Sequence, residues 1–255
     1  MESLENTLNY CLCRNIAIIG GGPSLDFSME EIEHLYRQDT VFFLTDIISD
    51  NFIKIFPDSK RLIFTVEAKP HNYLKNLANE KIAAHVRADT RNYSKKKNHC
   101  YSFHFDIDKP GIKNSFEMKS PGTVAGAAIY WALSVSKRNQ NPNNIILFGI
   151  DLSYIDNQVY NRLCKFSFQQ DYWTKRENRE WIAILKKTAD IQFSYGYVIR
   201  SSREFSMTKE KLEILIQNQK NIMIMDYSPM GISENLVKKV IPKKIMFEQN
   251  RDIIR

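Results

Sequence analysis

The chain lacks most of the features that assign a protein at a glance. No apolar run approaches the roughly 18 residues that span a bilayer, so a soluble protein is expected. Residues 1–14 carry Glu2 and Glu5 and have no basic start followed by an apolar block, which argues against a secretory leader. The four cysteines, Cys11, Cys13, Cys100 and Cys164, form no CxxC pair and no zinc-ligand spacing; reduced thiols in a cytoplasm are the expectation. Cys11 and Cys13 would share one face of a strand as a metal half-site, but nothing completes it. The histidines form no HExxH or His-x-His pattern, so no metal site is expected.

Nucleic acid is also an unpromising partner. The formal charge of +7 would attract polyanions or phosphorylated substrates. Yet the basic clusters at Lys95–Lys97, Lys238–Lys239 and Lys243–Lys244 are not interleaved with aromatic or recognition-helix motifs. They read as solvated faces.

What is present is a strand, a glycine turn and a helix start. Asn15 to Ile19 is a short β-branched run suited to a strand buried on both faces. Gly20, Gly21 and Gly22 follow, then Pro23 and Ser24, which suit a helix start. Such a turn presents backbone N–H groups and a helix dipole to an anion. The spacing is neither Gly-x-Gly-x-x-Gly nor a Walker loop.

Further strands are predicted at 40–44, 61–66, 81–86, 101–105, 144–148, 197–200 and 221–225, with helices at 30–37, 70–77, 124–137, 179–189 and 209–220. The alternation implies an α/β, Rossmann-like domain: a mostly parallel sheet with helices on both faces. Residues 1–14 read as an N-terminal extension, 15–241 as the domain and 242–255 as a basic tail. Residues 154–178, polar and aromatic with Tyr154, Tyr160, Tyr172 and Trp173, read as a lid-like insertion, or as a contact in a homo-oligomer.

Ligands of such sheets bind beyond the carboxyl ends of the strands. Thr45 and Asp46 lie at one such end, and Gly149, Ile150 and Asp151 at another. Asp46 is a candidate for a ribose or base hydroxyl, with helix capping as its alternative role. Asp106 and Asp108 have the spacing of the Asp-x-Asp motif that holds a divalent ion in many glycosyltransferases.

Three blocks, Gly20-Gly-Gly-Pro-Ser24, Ser120-Pro-Gly-Thr123 and Asn144-Ile-Ile-Leu-Phe-Gly-Ile-Asp-Leu-Ser-Tyr154, carry a family resemblance. They resemble the Rossmann-like domain shared by motility-associated factor (Maf) proteins, thought to transfer nonulosonic acids to flagellin, and by the 6-hydroxymethylpterin diphosphokinase (MptE)-like proteins. They are also similar to blocks of bacterial CMP-sialic-acid-dependent sialyltransferases. The resemblance implies nucleotide contacts at Gly20, Gly21, Gly22, Pro23, Ser24, Thr45, Asp46, Ser120, Gly122, Thr123 and Gly149. It further implies a role in the chemistry for Asp151 and for a tyrosine supporting the leaving phosphate, Tyr160 or Tyr154.

The chain departs from the motility-associated proteins and the sialyltransferases in one respect: residues 155–255 contain no histidine, where both of those groups place one. A base would have to be Asp171, Glu177, Glu180, His71 or His104. The implied function is transfer of a sugar from a nucleotide donor, a CMP-linked nonulosonic acid foremost, to a glycan or protein hydroxyl, with no cofactor required. The alternatives are a diphosphokinase using ATP and Mg²⁺ on a pterin alcohol, with Asp46, Asp151 and Glu67 as metal ligands, and a nucleotide-binding protein without activity.

Overall fold

A computed structural model of the protein describes residues 1–12, 15–66, 68, 74, 77–89, 98–108, 112–141, 143–155, 164, 188–194, 197–219, 221–228 and 231–242; for 154–155, 188–194 and 197–198 it describes the backbone only. The core is a 10-stranded sheet in which every pairing is parallel. Its centre is β2 (Asn15–Ile19), flanked by β3 (Thr40–Thr45) and β8 (Asn144–Phe148). From β2 the chain moves outward through β3, β4 (Lys60–Thr65), β5 (Lys81–His85) and β6 (His99–Phe105). It then returns to place β8, and later β12 (Ile224–Asp226) and β13 (Lys238–Lys239), on the opposite side of β2.

Alternation along the central strands explains why helices cover both faces. Ile16 and Ile18, Val41 and Phe43, and Ile145 and Leu147 belong to one core cluster. Ala17 and Ile19, Phe42 and Leu44, and Ile146 and Phe148 belong to the other. With a side-chain period of two, each strand feeds both layers, and each large apolar side chain buried contributes about 1.5–3 kcal/mol. The first cluster is closed by α4 (Val124–Arg138), whose Gly126, Ala127 and Ala128 allow close approach to the sheet, and by α5 (Arg203–Gln217). The second is closed by α2 (Met29–Tyr36) and α3 (Asp46–Ile55).

Several expectations need correction. Residues 1–12 are no extension. Glu2–Ser3 forms β1, paired in parallel with β6, and Leu4 and Cys11 are wholly buried in the core. Tyr10 of α1 (Leu8–Cys11) donates its hydroxyl to the Arg61 carbonyl at 3.1 Å. Cys11 is therefore a core residue on a helix rather than half of a strand-borne metal site; Cys13 lies outside the described residues.

Where the sequence predicts a single strand between residues 87 and 119, at 101–105, the structure has two. β6 is an internal sheet strand, and β7 (Phe116–Met118) extends its outer edge beyond β1. Tyr154–Ile155, β9, joins β10 (Thr188–Ser194) and β11 (Tyr197–Ser202) in a small antiparallel sheet. Thr188 and Ala189, expected at the end of a helix over 179–189, belong to β10, and residues 179–187 lie outside the described residues. α5 begins at Arg203, six residues before the expected start, because Ser202 caps it by accepting from the Phe205 N–H at 3.2 Å. The rest of the lid-like insertion except Cys164, the helix at 70–77 except Leu74 and Leu77, and the tail beyond Pro242 lie outside the described residues. No helix among the described residues is long and apolar enough to cross a membrane.

Candidate functional site

Because β2 and β8 are parallel neighbours reached from opposite directions of winding, their following loops leave the sheet side by side. A cavity of about 300 Å³ lies there. Gly20, Gly21 and Gly22 line it from the β2 loop, Gly149 and Asp151 from the β8 loop, Thr45 and Asp46 from the start of α3, and Thr123 from the start of α4. Eight of the residues that the sequence singles out are thereby brought together. Pro23 and Ser24 are buried behind this wall in a 3-10 turn, Pro23–Phe27. Ser120 and Gly122 shape the entry to α4 without lining the cavity; the Ser120 N–H donates to Asp106 Oδ1 at 3.0 Å.

The two glycine loops grip each other. The Gly20 N–H donates to the Phe148 carbonyl and the Gly22 N–H to the Gly149 carbonyl, each at 2.8 Å. A Cβ on Gly22 would stand 2.3 Å from Asp151 Oδ2, and one on Gly20 would stand 2.4 Å from the Gly149 oxygen. Two of the three glycines therefore serve the approach of one loop to the other, not only the approach of a ligand.

Asp151 is at the centre of that grip. Its Oδ2 accepts the Ser24 N–H at 2.8 Å, while Oδ1 is buried with no hydrogen-bond partner among the described residues. Burial pushes its carboxyl up to about 6; the bond from Ser24 opposes the shift, nearby Asp226 adds to it and Lys239 opposes it. Behind Asp151, Asp226 accepts Lys239 Nζ at 2.7 Å together with the N–H groups of Ser228 and Ile232. Ser228 Oγ in turn accepts the Ile150 N–H at 2.9 Å. Lys239, which the sequence reads as part of a solvated face, is instead a brace beneath the β8 loop. Leu152 adopts φ 50°, a left-handed conformation that costs a Leu about 1–2 kcal/mol. Ser201 Oγ bonds its carbonyl at 3.2 Å and helps to hold it.

Asp46 is likewise engaged. Its Oδ1 accepts the Ile47 N–H at 2.9 Å and its Oδ2 the Thr65 hydroxyl at 2.7 Å. At α4, Thr123 Oγ1 takes the Gly126 N–H at 3.0 Å. The N–H groups of Val124 and Ala125, both on the cavity wall, have no acceptor within the helix. With the helix dipole behind them they suit an anion.

Other expected residues do not join the site. Asp108 is buried, bonded by His85 Nε2 and the Phe105 N–H, both at 2.8 Å, and paired with Arg87. The Asp106–Asp108 spacing is therefore a clamp on the end of β6 and not an open cation motif. His104 bonds Ser115 and pairs with Glu117 away from the cavity. Tyr160, His71, Glu67, Asp171, Glu177 and Glu180 lie outside the described residues, and Tyr154 is described only by its backbone in β9. Among the described residues no group of three His, Cys, Asp or Glu is placed to hold a metal ion.

Residues that the sequence did not mark complete the wall, Ile47, Val66, Val124, Leu152 and Phe205 among them. Their apolar character is legible, but only the fold shows that they meet. Comparison of the chain with family models, with curated proteins and with solved structures finds no match.

Proposed function

We propose that the protein binds a nucleotide-activated sugar in this cavity and transfers the sugar to a hydroxyl of a glycan or protein, a CMP-linked nonulosonic acid being the donor. The observation that carries the reading is the convergence of the β2 and β8 loops with the starts of α3 and α4 on one cavity at the switch in winding direction. In the transfer, the acceptor oxygen bonds the anomeric carbon as the bond from that carbon to the phosphate oxygen breaks. The electron pair leaves with the nucleotide, and the hydroxyl proton passes to a base. The α4 start would stabilise the departing phosphate through fixed N–H groups.

Thermal shift with CMP, UDP, GDP and ATP, each with and without Mg²⁺, tests the reading. A ligand at a hundred times its Kd adds about 2.7 kcal/mol of stability. Metal-independent stabilisation by CMP, followed by release of sugar from a CMP-linked donor, is the expected result. Stabilisation by ATP only with Mg²⁺ would favour the diphosphokinase.

A second reading, nucleotide binding without transfer, is favoured by a specific observation: Asp46 and Asp151 both spend carboxylate oxygens on bonds within the fold. Stabilisation by CMP with no turnover of any donor would select it.

A further inference from the structure

We infer that Phe205, at the start of α5, is the platform on which a planar ring of the ligand stacks. The inference rests on the nucleotide reading above and divides the cavity into a ring end and a phosphate end.

Phe205 lines the cavity although it lies far along the chain from both glycine loops, and three contacts determine where it stands. Ser202 Oγ accepts its N–H at 3.2 Å and so sets the first turn of α5. One turn later Thr208 packs on the entry to α4: a Cβ on Gly122, whose φ is +83°, would lie 3.1 Å from Thr208 Oγ1. Next, Leu212 lies against Gly126 in the first turn of α4, where an added Cβ would stand 3.1 Å from its side chain. The first turns of α5 thus rest on the entry and first turn of α4, which sets Phe205 in the wall of the cavity that Val124 and Ala125 also line. On the same side of the structure, Ser201 bonds the Leu152 carbonyl and ties the strand before α5 to the β8 loop.

The chemistry of the surrounding wall matches this role. Ile47, Val66 and Val124 add apolar surface to the cavity that Phe205 lines, and among the described residues no Lys, Arg or His lines it. An apolar wall with one aromatic side chain favours the face of a flat heterocycle and contributes little to a bare phosphate or sugar. The unpartnered N–H groups at the α4 start favour the phosphate. A nucleoside monophosphate would satisfy both ends at once.

The test titrates the full chain with CMP, AMP and the ringless ribose 5-phosphate, by calorimetry, for wild type, Phe205→Ala, Phe205→Leu and Phe205→Tyr. Unliganded melting temperatures identify any variant that has lost its fold; Phe205→Leu keeps bulk without the ring should Phe205→Ala not fold. Stacking on an aromatic side chain predicts that Phe205→Ala and Phe205→Leu lose about tenfold or more in affinity for the ring-bearing ligand. Phe205→Tyr should retain that affinity, and ribose 5-phosphate should bind equally to all four proteins. Equal loss for CMP and ribose 5-phosphate, or full CMP affinity in Phe205→Leu, overturns the platform and leaves the nucleotide reading standing. Tighter binding of AMP than CMP, lost in Phe205→Leu, keeps the platform and overturns the CMP donor. Failure of wild type to bind either nucleotide overturns both.

Discussion

The backbone N–H of Ser24 donates to Oδ2 of Asp151 at 2.8 Å, between residues 127 positions apart. This bond joins the turn after β2 to the turn after β8, and the cavity lies where the two turns meet. A carboxylate on the N-terminal end of the Pro23–Phe27 turn meets an otherwise unsatisfied donor. The same bond keeps that carboxylate away from water. Loop architecture and acid strength at Asp151 are consequently one property.

Stability should therefore depend on pH through Asp151. The group titrates at about 6 in the fold and near 3.8 as an ordinary aspartate. Between those values the folded chain holds a proton that the unfolded chain has released, so stability falls as pH rises through this window. Above about 6 the full cost, about 3 kcal/mol, applies. Asp151→Asn removes the titration and keeps an oxygen for Ser24. The unfolding free energy of Asp151→Asn relative to wild type should thus rise by about 3 kcal/mol from acid to neutral pH. Urea titrations at a series of pH values check this, and a flat difference would mean that Asp151 titrates like a solvated carboxylate.

Gly22→Ala should be poorly tolerated. Its Cβ would lie 2.3 Å from Asp151 Oδ2 and 2.7 Å from the Gly149 oxygen, and a strand-end backbone has little room to yield. A loss of about 3 kcal/mol is expected from such overpacking. The cost should couple to its neighbour: Gly22→Ala combined with Asp151→Ala should lose less than the sum of the single changes, because one of the two clashes disappears. Strict additivity in denaturant unfolding would show that the loops do not meet as described.

Lys239→Met is expected to destabilise the β8 side of the cavity by about 3 kcal/mol. The change leaves Asp226, wholly buried, without its cation. Burial already pushes the Asp226 carboxyl up, against the pull of Lys239, so the loss should be smaller in acid, where the carboxyl is protonated. Combining Lys239→Met with Asp226→Asn should recover part of the stability at neutral pH. The measurement is the midpoint of urea unfolding at a series of pH values from neutral into acid; a loss that does not diminish as the pH falls would contradict the pairing.

How far the sequence reveals this arrangement depends on the range of the forces involved. β2, β3 and β8 are legible because burial on both faces demands an unbroken apolar run, and the start of α4 is legible because Thr123 follows a Pro-Gly turn. Ser202 and the acidic Glu204 were a readable signal for the start of α5, but the apolar spacing is clear only later, at Leu212, Leu215 and Ile216. Phe205, in that first turn, falls outside the expected helix 209–220. Residues 101–105 are legible as a strand, but the place of β6 inside the sheet is not, because Ser102 and His104 are polar residues whose partners, the Glu2 carbonyl and Ser115, only the tertiary fold supplies. Lys239 looks like any surface lysine until Asp226 is placed beside it. Within the site, the glycine and carboxylate positions were legible as types, whereas their engagement with each other was not.

The start of α4 offers the cleanest separation of binding from folding. Val124 is the first residue after the Thr123 cap, and Thr123 is extended, with φ −146° and ψ 164°. Proline is favoured at that helix position, since its fixed φ suits the helix and the missing N–H has no helical acceptor to lose; an extended residue before it is also what proline requires. Val124→Pro should therefore leave stability within about 1 kcal/mol of wild type. It nevertheless deletes one of the two N–H groups offered to a phosphate, and a hydrogen bond to a charged group contributes about 1.5–3 kcal/mol. Affinity for CMP should fall at least tenfold while affinity for cytidine, which has no phosphate, stays the same. If the variant keeps its melting temperature and binds CMP as wild type does, the phosphate is not held by the Val124 N–H at the start of α4.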